Sequence, residues 1–319
     1  MSRVERWQPV LVLASALVGL AVGALTALGP AAEAVVLPAL MILLVGVFLQ
    51  ITAHRVRDAA RRVRVVTASL VVNFVWTPLL AWLLGALLLG SEPDLRVGLL
   101  MLLVTPCTDW YLVFTGLARG NVALATALLP INLVLQLVLL PVYVLALAGT
   151  LVPVDAGVLI EAVVLVLLIP LTIAGVLRAL AGRSMGLDWL EHEVASRLGG
   201  ITLGLLCLAV AAVFAAHGDA LLERPGVAVL LLPALALFFV VAFLLARGIS
   251  GPLGLSYAER VTLTMTTLAR NSPLALAIAV AAFPDRPLIA VALVVGPLVE
   301  LPVLALAAQL LRDRAPTDR

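Results

Sequence analysis

The sequence predicts an all-α integral membrane protein. Ten transmembrane helices are expected, arranged as two inverted five-helix repeats over residues 1–150 and 151–319, with broken helices 4 and 9 crossing one another. Three observations support this. Hydrophobic residues make up 64% of the 319 positions and charged residues 12%, at a mean hydropathy of +1.21, whereas a soluble domain is about half apolar and a quarter charged. The arginines gather on alternate connections. Two apolar runs, at matching places in the two halves, carry polar interruptions that contain a proline.

The apolar runs, bounded by charges, glycines and prolines, fall at 9–28, 35–51, 65–90, 95–118, 122–148, 157–180, 197–216, 226–248, 257–283 and 287–311. A span takes ~20 residues, so ten of them use most of the chain and leave no room for a soluble catalytic domain. The first run is longer than the apolar core of a signal peptide. It is therefore expected to be retained as a helix, although Ala32-Glu33-Ala34 offers a cleavage-like site. All twenty basic residues are arginine; sixteen fall on the side of the N-terminus and three, Arg96, Arg224 and Arg286, on the other. Because basic residues collect on the cytoplasmic side, the protein is expected in the cell membrane with both termini cytoplasmic. A net charge of +2 with no long basic run predicts no nucleic-acid partner. Cys107 and Cys207 lie far apart in apolar segments, which gives neither a disulfide framework nor a metal site, and no cofactor is expected.

Span 4 is interrupted by Thr105-Pro106-Cys107-Thr108-Asp109 and span 9 by Thr266 through Pro273, about 165 residues later. Proline removes a backbone donor and disfavours helix at the residue before it. Spans 5 and 10 also match, with Pro130 and Asn132 in one and Pro297 and Glu300 in the other. Five spans per half is an odd number, so the second half enters the membrane inverted. Matched broken helices in inverted halves point to a secondary transporter's midplane site. There, unwound backbone is tolerated because it lines a cavity or is buried in protein.

The last arginine, Arg270, lies inside a span, as do Asp109 and Glu300; each costs roughly 2.5–3.5 kcal/mol at a helix centre. Asp109 and Arg270 occupy opposing breaks, where they form either a structural salt bridge or a switchable pair. Glu300 is either a proton carrier or a neutral hydrogen-bonded acid. Asn73, Asn132, Gln136, Asn271 and Ser272 can line a polar cavity or bond between helices. Cys107, directly after Pro106, is either a soft ligand facing that cavity or a small buried apolar residue.

The Thr105-Pro106-Cys107-Thr108 motif, Gly116-Leu117-Ala118-Arg119-Gly120-Asn121 and Pro130-Ile131-Asn132 resemble the arsenite efflux permeases. These are the arsenical-resistance branch of the superfamily that includes the bile acid:sodium symporters. Val72-Asn73-Phe74-Val75-Trp76-Thr77-Pro78 is similar to that branch's span 3 segment, and Asn271 through Ala281 to its span 9 core. The resemblance implies a panel domain and a core domain whose broken helices cross near the substrate, with Cys107 handling trivalent arsenic. The chain departs from the branch at Asp109, usually small or apolar, and at Ala275, usually acidic. Against the sodium symporters, Thr266 and Arg270 stand where Glu and Gln hold sodium, so a fixed cation is expected to replace the ion.

The expected function is therefore proton-linked efflux of a trivalent metalloid such as arsenite or antimonite. Cys107, Thr108, Asn73, Asn132, Asn271 and Ser272 form the substrate site, and Asp109, Arg270 and Glu300 couple or gate it. Partners are the metalloid or another small molecule, protons and the lipid bilayer; the oligomeric state is left open. The alternative within transport is a sodium-independent organic-anion carrier with Arg270 holding a carboxylate or sulfonate. A ligand sensor lacks an appended domain for signalling, and a membrane enzyme lacks a catalytic set within the spans.

Overall fold

A computed structural model describes residues 3–49, 62–90, 92–108, 110–184, 195–223 and 226–314. Among these, regular structure is helical: α1 (Arg3–Leu25), α2 (Gly29–Leu49), α3 (Val63–Leu88), α4 (Pro93–Leu103), α5 (Trp110–Leu117), α6 (Val122–Ala148), α7 (Ala156–Ser184), α8 (Ala195–Glu223), α9 (Gly226–Ser250), α10 (Tyr257–Leu268), α11 (Ser272–Ala282) and α12 (Pro287–Arg312). Helix starts follow local chemistry. The Asn121 side chain accepts from the Leu124 N–H at 2.9 Å to cap α6. Ser256 and Glu259 form a reciprocal capping box on α10. Prolines open α4 and α12, where a missing N–H costs nothing.

Among the described residues, seven helices are long and apolar enough to cross a membrane: α2, α3, α6, α7, α8, α9 and α12. The fourth and ninth apolar runs are not single helices. Each is divided, into α4 and α5 and into α10 and α11, with no segment longer than 12 residues. The apolar stretch of α1, Val10–Leu25, is also shorter than a full span.

The outward faces are aliphatic: Leu17, Ile42, Leu87, Val138, Leu168 and Leu244 are exposed, as suits contact with acyl chains. The broken helices lie innermost, with Val97 through Leu103 of α4 and Leu274 through Ala279 of α11 buried on every side, the pattern of a central helix. Two features position these inner helices. Helix α4 rests on α12 at glycines from both sides. A Cβ at Gly98 would stand 2.5 Å from the Ala292 Cβ, and one at Gly296 would stand 2.6 Å from the Leu102 side chain. Helix α3 carries a π-turn at Val72–Trp76, and the Tyr143 hydroxyl of α6 donates to the Phe74 carbonyl within it.

Candidate functional site

The site is built where the two breaks meet. Pro106 disfavours helix at Thr105, and α4 stops at Leu103. The Thr105 hydroxyl turns back onto the Met101 and Leu102 carbonyls, each at 3.0 Å. The chain beyond runs antiparallel to the second break, with Pro106 facing Arg270. The Cys107 N–H donates to the Ala269 carbonyl at 3.0 Å and the Asn271 N–H to the Thr105 carbonyl at 2.7 Å. Each break thus satisfies the backbone groups that the other leaves orphaned, which an apolar interior requires.

Among the described residues, Arg270 is the largest fully buried side chain. Its guanidinium lies against the C-terminal ends of both first segments. Nη1 donates to the Leu103 carbonyl of α4 at 2.7 Å, Nε to the Leu268 carbonyl of α10 at 3.4 Å, and Nη2 to the Thr267 carbonyl. Nη2 also donates to Asn73 Oδ1 on the π-turn at 3.0 Å, and the Phe238 ring of α9 covers the cation at 5.2 Å. Helix C-termini carry negative partial charge, so two converging ends favour a cation between them. The backbone N–H of Arg270 donates to Glu300 Oε1 of α12 at 2.8 Å.

The other sequence-derived residues gather around this crossing. Asn271 caps α11 by accepting from the Leu274 N–H at 3.3 Å, and its Nδ2 donates to the Thr108 hydroxyl at 3.2 Å. Ser272 donates to the Leu293 carbonyl of α12. Asn132 of α6 donates to the Thr266 hydroxyl of α10 at 3.4 Å, and Asn73 Nδ2 donates to Ser69 at 3.3 Å. Cys107 is buried in the break, and neither it nor Cys207 is in a disulfide. Asp109 lies outside the described residues, and with it the pair expected between Asp109 and Arg270. No cluster that could hold a metal ion occurs among the described residues.

Four of the five groups named around the Arg270 guanidinium carry no signal in the sequence. The Leu103, Thr267 and Leu268 groups are backbone carbonyls, which no residue identity announces. Phe238 sits in an uninterrupted apolar run.

The model of the sodium bile acid symporter family matches residues 37–224, more than half of the chain. The chain belongs to the sodium bile acid symporter family. Members of this family are membrane transporters, so this chain is a multi-pass transporter and not an enzyme. Among its relatives is the arsenical-resistance protein Acr3 of Corynebacterium glutamicum, 29% identical over 74% of this chain and 66% of that protein. The match therefore spans just under two thirds of that relative's length. The Acr3 of Alkaliphilus metalliredigens is 25% identical over 94% of this chain and 90% of its own. An uncharacterized transporter of Synechocystis sp. is 25% identical over 84% and 76%.

Proposed function

We propose that this member of the symporter family is a secondary transporter of ten transmembrane helices in two inverted repeats. In this reading it exports a trivalent metalloid, arsenite or antimonite, in exchange for protons, with both termini cytoplasmic. The observation that carries this reading is the antiparallel pairing of the two breaks through Pro106 and Arg270, with Cys107 inside it. The repeat is supported by the helix starts. Val63 and Gly226 are 163 residues apart, Pro93 and Tyr257 are 164 and Val122 and Pro287 are 165, while the facing residues Pro106 and Arg270 are 164 apart. Divided spans 4 and 9 together with α1 bring the seven continuous spans to ten. The metalloid is suggested by the relatives named for arsenical resistance.

Cys107 supplies the soft sulfur that trivalent arsenic prefers. An As–S bond forms as one hydroxyl leaves the arsenic and takes the thiol proton away as water; the reverse step releases the cargo. Thr108, Asn73, Asn132, Asn271 and Ser272 complete a polar surround. Glu300 carries the coupling proton: protonating it weakens its hold on the Arg270 N–H and loosens the second break, with Asp109 as the other acidic group of the pathway. Arg270 acts as a built-in cation. Carbonyl oxygens and an amide oxygen surround it much as they would a monovalent ion, so sodium has no place to bind. The same engagement leaves the guanidinium poorly placed to hold a carboxylate, which favours the metalloid over an organic anion.

The test is arsenite accumulation in cells stripped of their own arsenic efflux, comparing this protein, Cys107→Ser and empty vector. Wild type is expected to lower accumulation and Cys107→Ser to match the vector; equal accumulation in all three, with the protein in the membrane, refutes the metalloid. Transport by purified protein that is stimulated by sodium refutes the coupling.

A further inference from the structure

One side chain near the crossing is buried without any partner. Gln136 of α6 is wholly inaccessible, yet neither its Oε1 nor its Nε2 has a hydrogen-bond partner; one turn earlier on the same helix, Asn132 Oδ1 is also unpartnered. Residues four apart share one helix face, so three orphaned amide atoms lie together on α6. Across from them stands Thr266 of α10, whose hydroxyl takes the Asn132 N–H. Its neighbours Thr262, Thr264 and Thr267 instead spend their hydroxyls on carbonyls four residues back. A buried amide left unsatisfied costs about 1–3 kcal/mol, so retaining one next to the helix crossing calls for an occupant.

The chemistry of that occupant follows from what surrounds it. The two deep charges nearby already have partners: Arg270 is held by carbonyls and Asn73, and Glu300 accepts the Arg270 N–H. What remains unmet is neutral and two-sided, since an amide offers donors and an acceptor at once. An anion would leave the Gln136 and Asn132 acceptors unmet. A solute whose hydroxyl groups both donate and accept meets them all.

We propose that the Asn132–Gln136 face of α6, opposite Thr266, is a binding site for a small neutral polyhydroxyl solute, with Gln136 as its principal contact. This rests on the metalloid reading and narrows it: the cargo is taken as the uncharged trihydroxide, arsenous acid, rather than as an oxyanion. Its hydroxyls lie against the amides, while its arsenic remains open to sulfur.

A merely structural amide and a binding amide respond oppositely to replacement by a side chain of similar size. The experiment compares purified wild type, Gln136→Leu and Gln136→Met by thermal unfolding in detergent with and without arsenite, and by arsenite transport in liposomes. Without ligand both variants are expected to melt above wild type, because an orphaned amide has been removed. Arsenite is expected to raise the wild-type melting temperature and not theirs. Their half-saturating arsenite rises about tenfold, the equivalent of one 1.4 kcal/mol contact. Arsenate, an anion at neutral pH, is expected to leave the wild type unshifted.

Variants that bind arsenite as wild type does, or that both melt below it, overturn the proposal, as does an equal shift with arsenate. A wild type that responds to neither arsenite nor antimonite overturns the metalloid reading itself, and this inference falls with it.

Discussion

The first segment of each divided span meets a later or earlier helix in its own way: α4 packs closely on α12, and α10, which packs mainly on α9, also touches α6. The two contacts are built differently. Between α4 and α12, glycines at 98 and 296 bring the helices to backbone distance, and the buried acid on α12, Glu300, is occupied by the Arg270 N–H. Between α10 and α6 the meeting groups are polar, Thr266 against Asn132, and the next turn of α6 carries Gln136 unpartnered. The first contact is therefore dry and closed, and the second is polar and unsaturated. The closed contact fixes where the breaks sit; the unsaturated one leaves chemistry unfilled beside them.

Arg270 joins both sides, and removing it is the severest way to break the comparison. Arg270→Ala strips donors from three helix-end carbonyls and from Asn73, a loss of roughly 3 kcal/mol or more, and transport is expected to vanish. Arg270→Lys does not rescue it, because a compact ammonium lacks the planar fork that reaches both helix ends. Thermal unfolding of the two variants checks this, and a lysine variant with wild-type stability defeats it.

The closed contact comes next. Gly98→Ala places a methyl against Ala292 and the Ile289 backbone carbonyl, an overpacking worth about 1–3 kcal/mol. Gly296→Ala meets only the Leu102 side chain, which can swing away, so it is expected to cost less. A reversed order in denaturation would show that the helix faces are not packed as described.

Glu300→Gln is subtler still. The amide oxygen keeps the bond to the Arg270 N–H without its charge assistance, a change of about 1 kcal/mol. Efflux is expected to lose its response to an imposed proton gradient while the fold persists; an unchanged response moves coupling to Asp109. Cys107→Ala should have the smallest effect on stability, close to the ~0.8 kcal/mol of one buried methylene, read as a nearly unchanged melting temperature beside lost arsenite export.

The breaks were legible in the sequence because proline and polar residues inside an apolar run have few other uses. The span limits followed for the same reason: charges and glycines punctuate hydrocarbon-length segments, and the observed helices fall within a few residues of them at most ends. Partner choice was not legible. The Arg270 guanidinium donates to backbone carbonyls, which every residue possesses and no residue type announces. Asn271 and Ser272 read as groups that line a cavity or bond between helices; Ser272 bonds α12 and Asn271 bonds Thr108, while the capping of α11 by Asn271 reflects the need of a broken helix to satisfy its own ends. Gln136 carried a polar signal in the sequence, but its lack of a partner is a property of packing alone.

The π-turn in α3 amounts to a phase slip. One surplus residue is taken up between positions 72 and 76, so the two parts of the helix are out of step by about 100°, the angle one residue subtends. Ser69 and Asn73 keep time with the first part, while the second shows Leu79, Leu83 and Leu87 to the surroundings and turns Ala81, Leu84 and Gly85 inward. Deleting any one residue of the turn would restore a single rhythm. The second part of α3 would then rotate like a misaligned gear, carrying a leucine face toward the core. Here the position of one residue along the chain sets which way a whole membrane face looks.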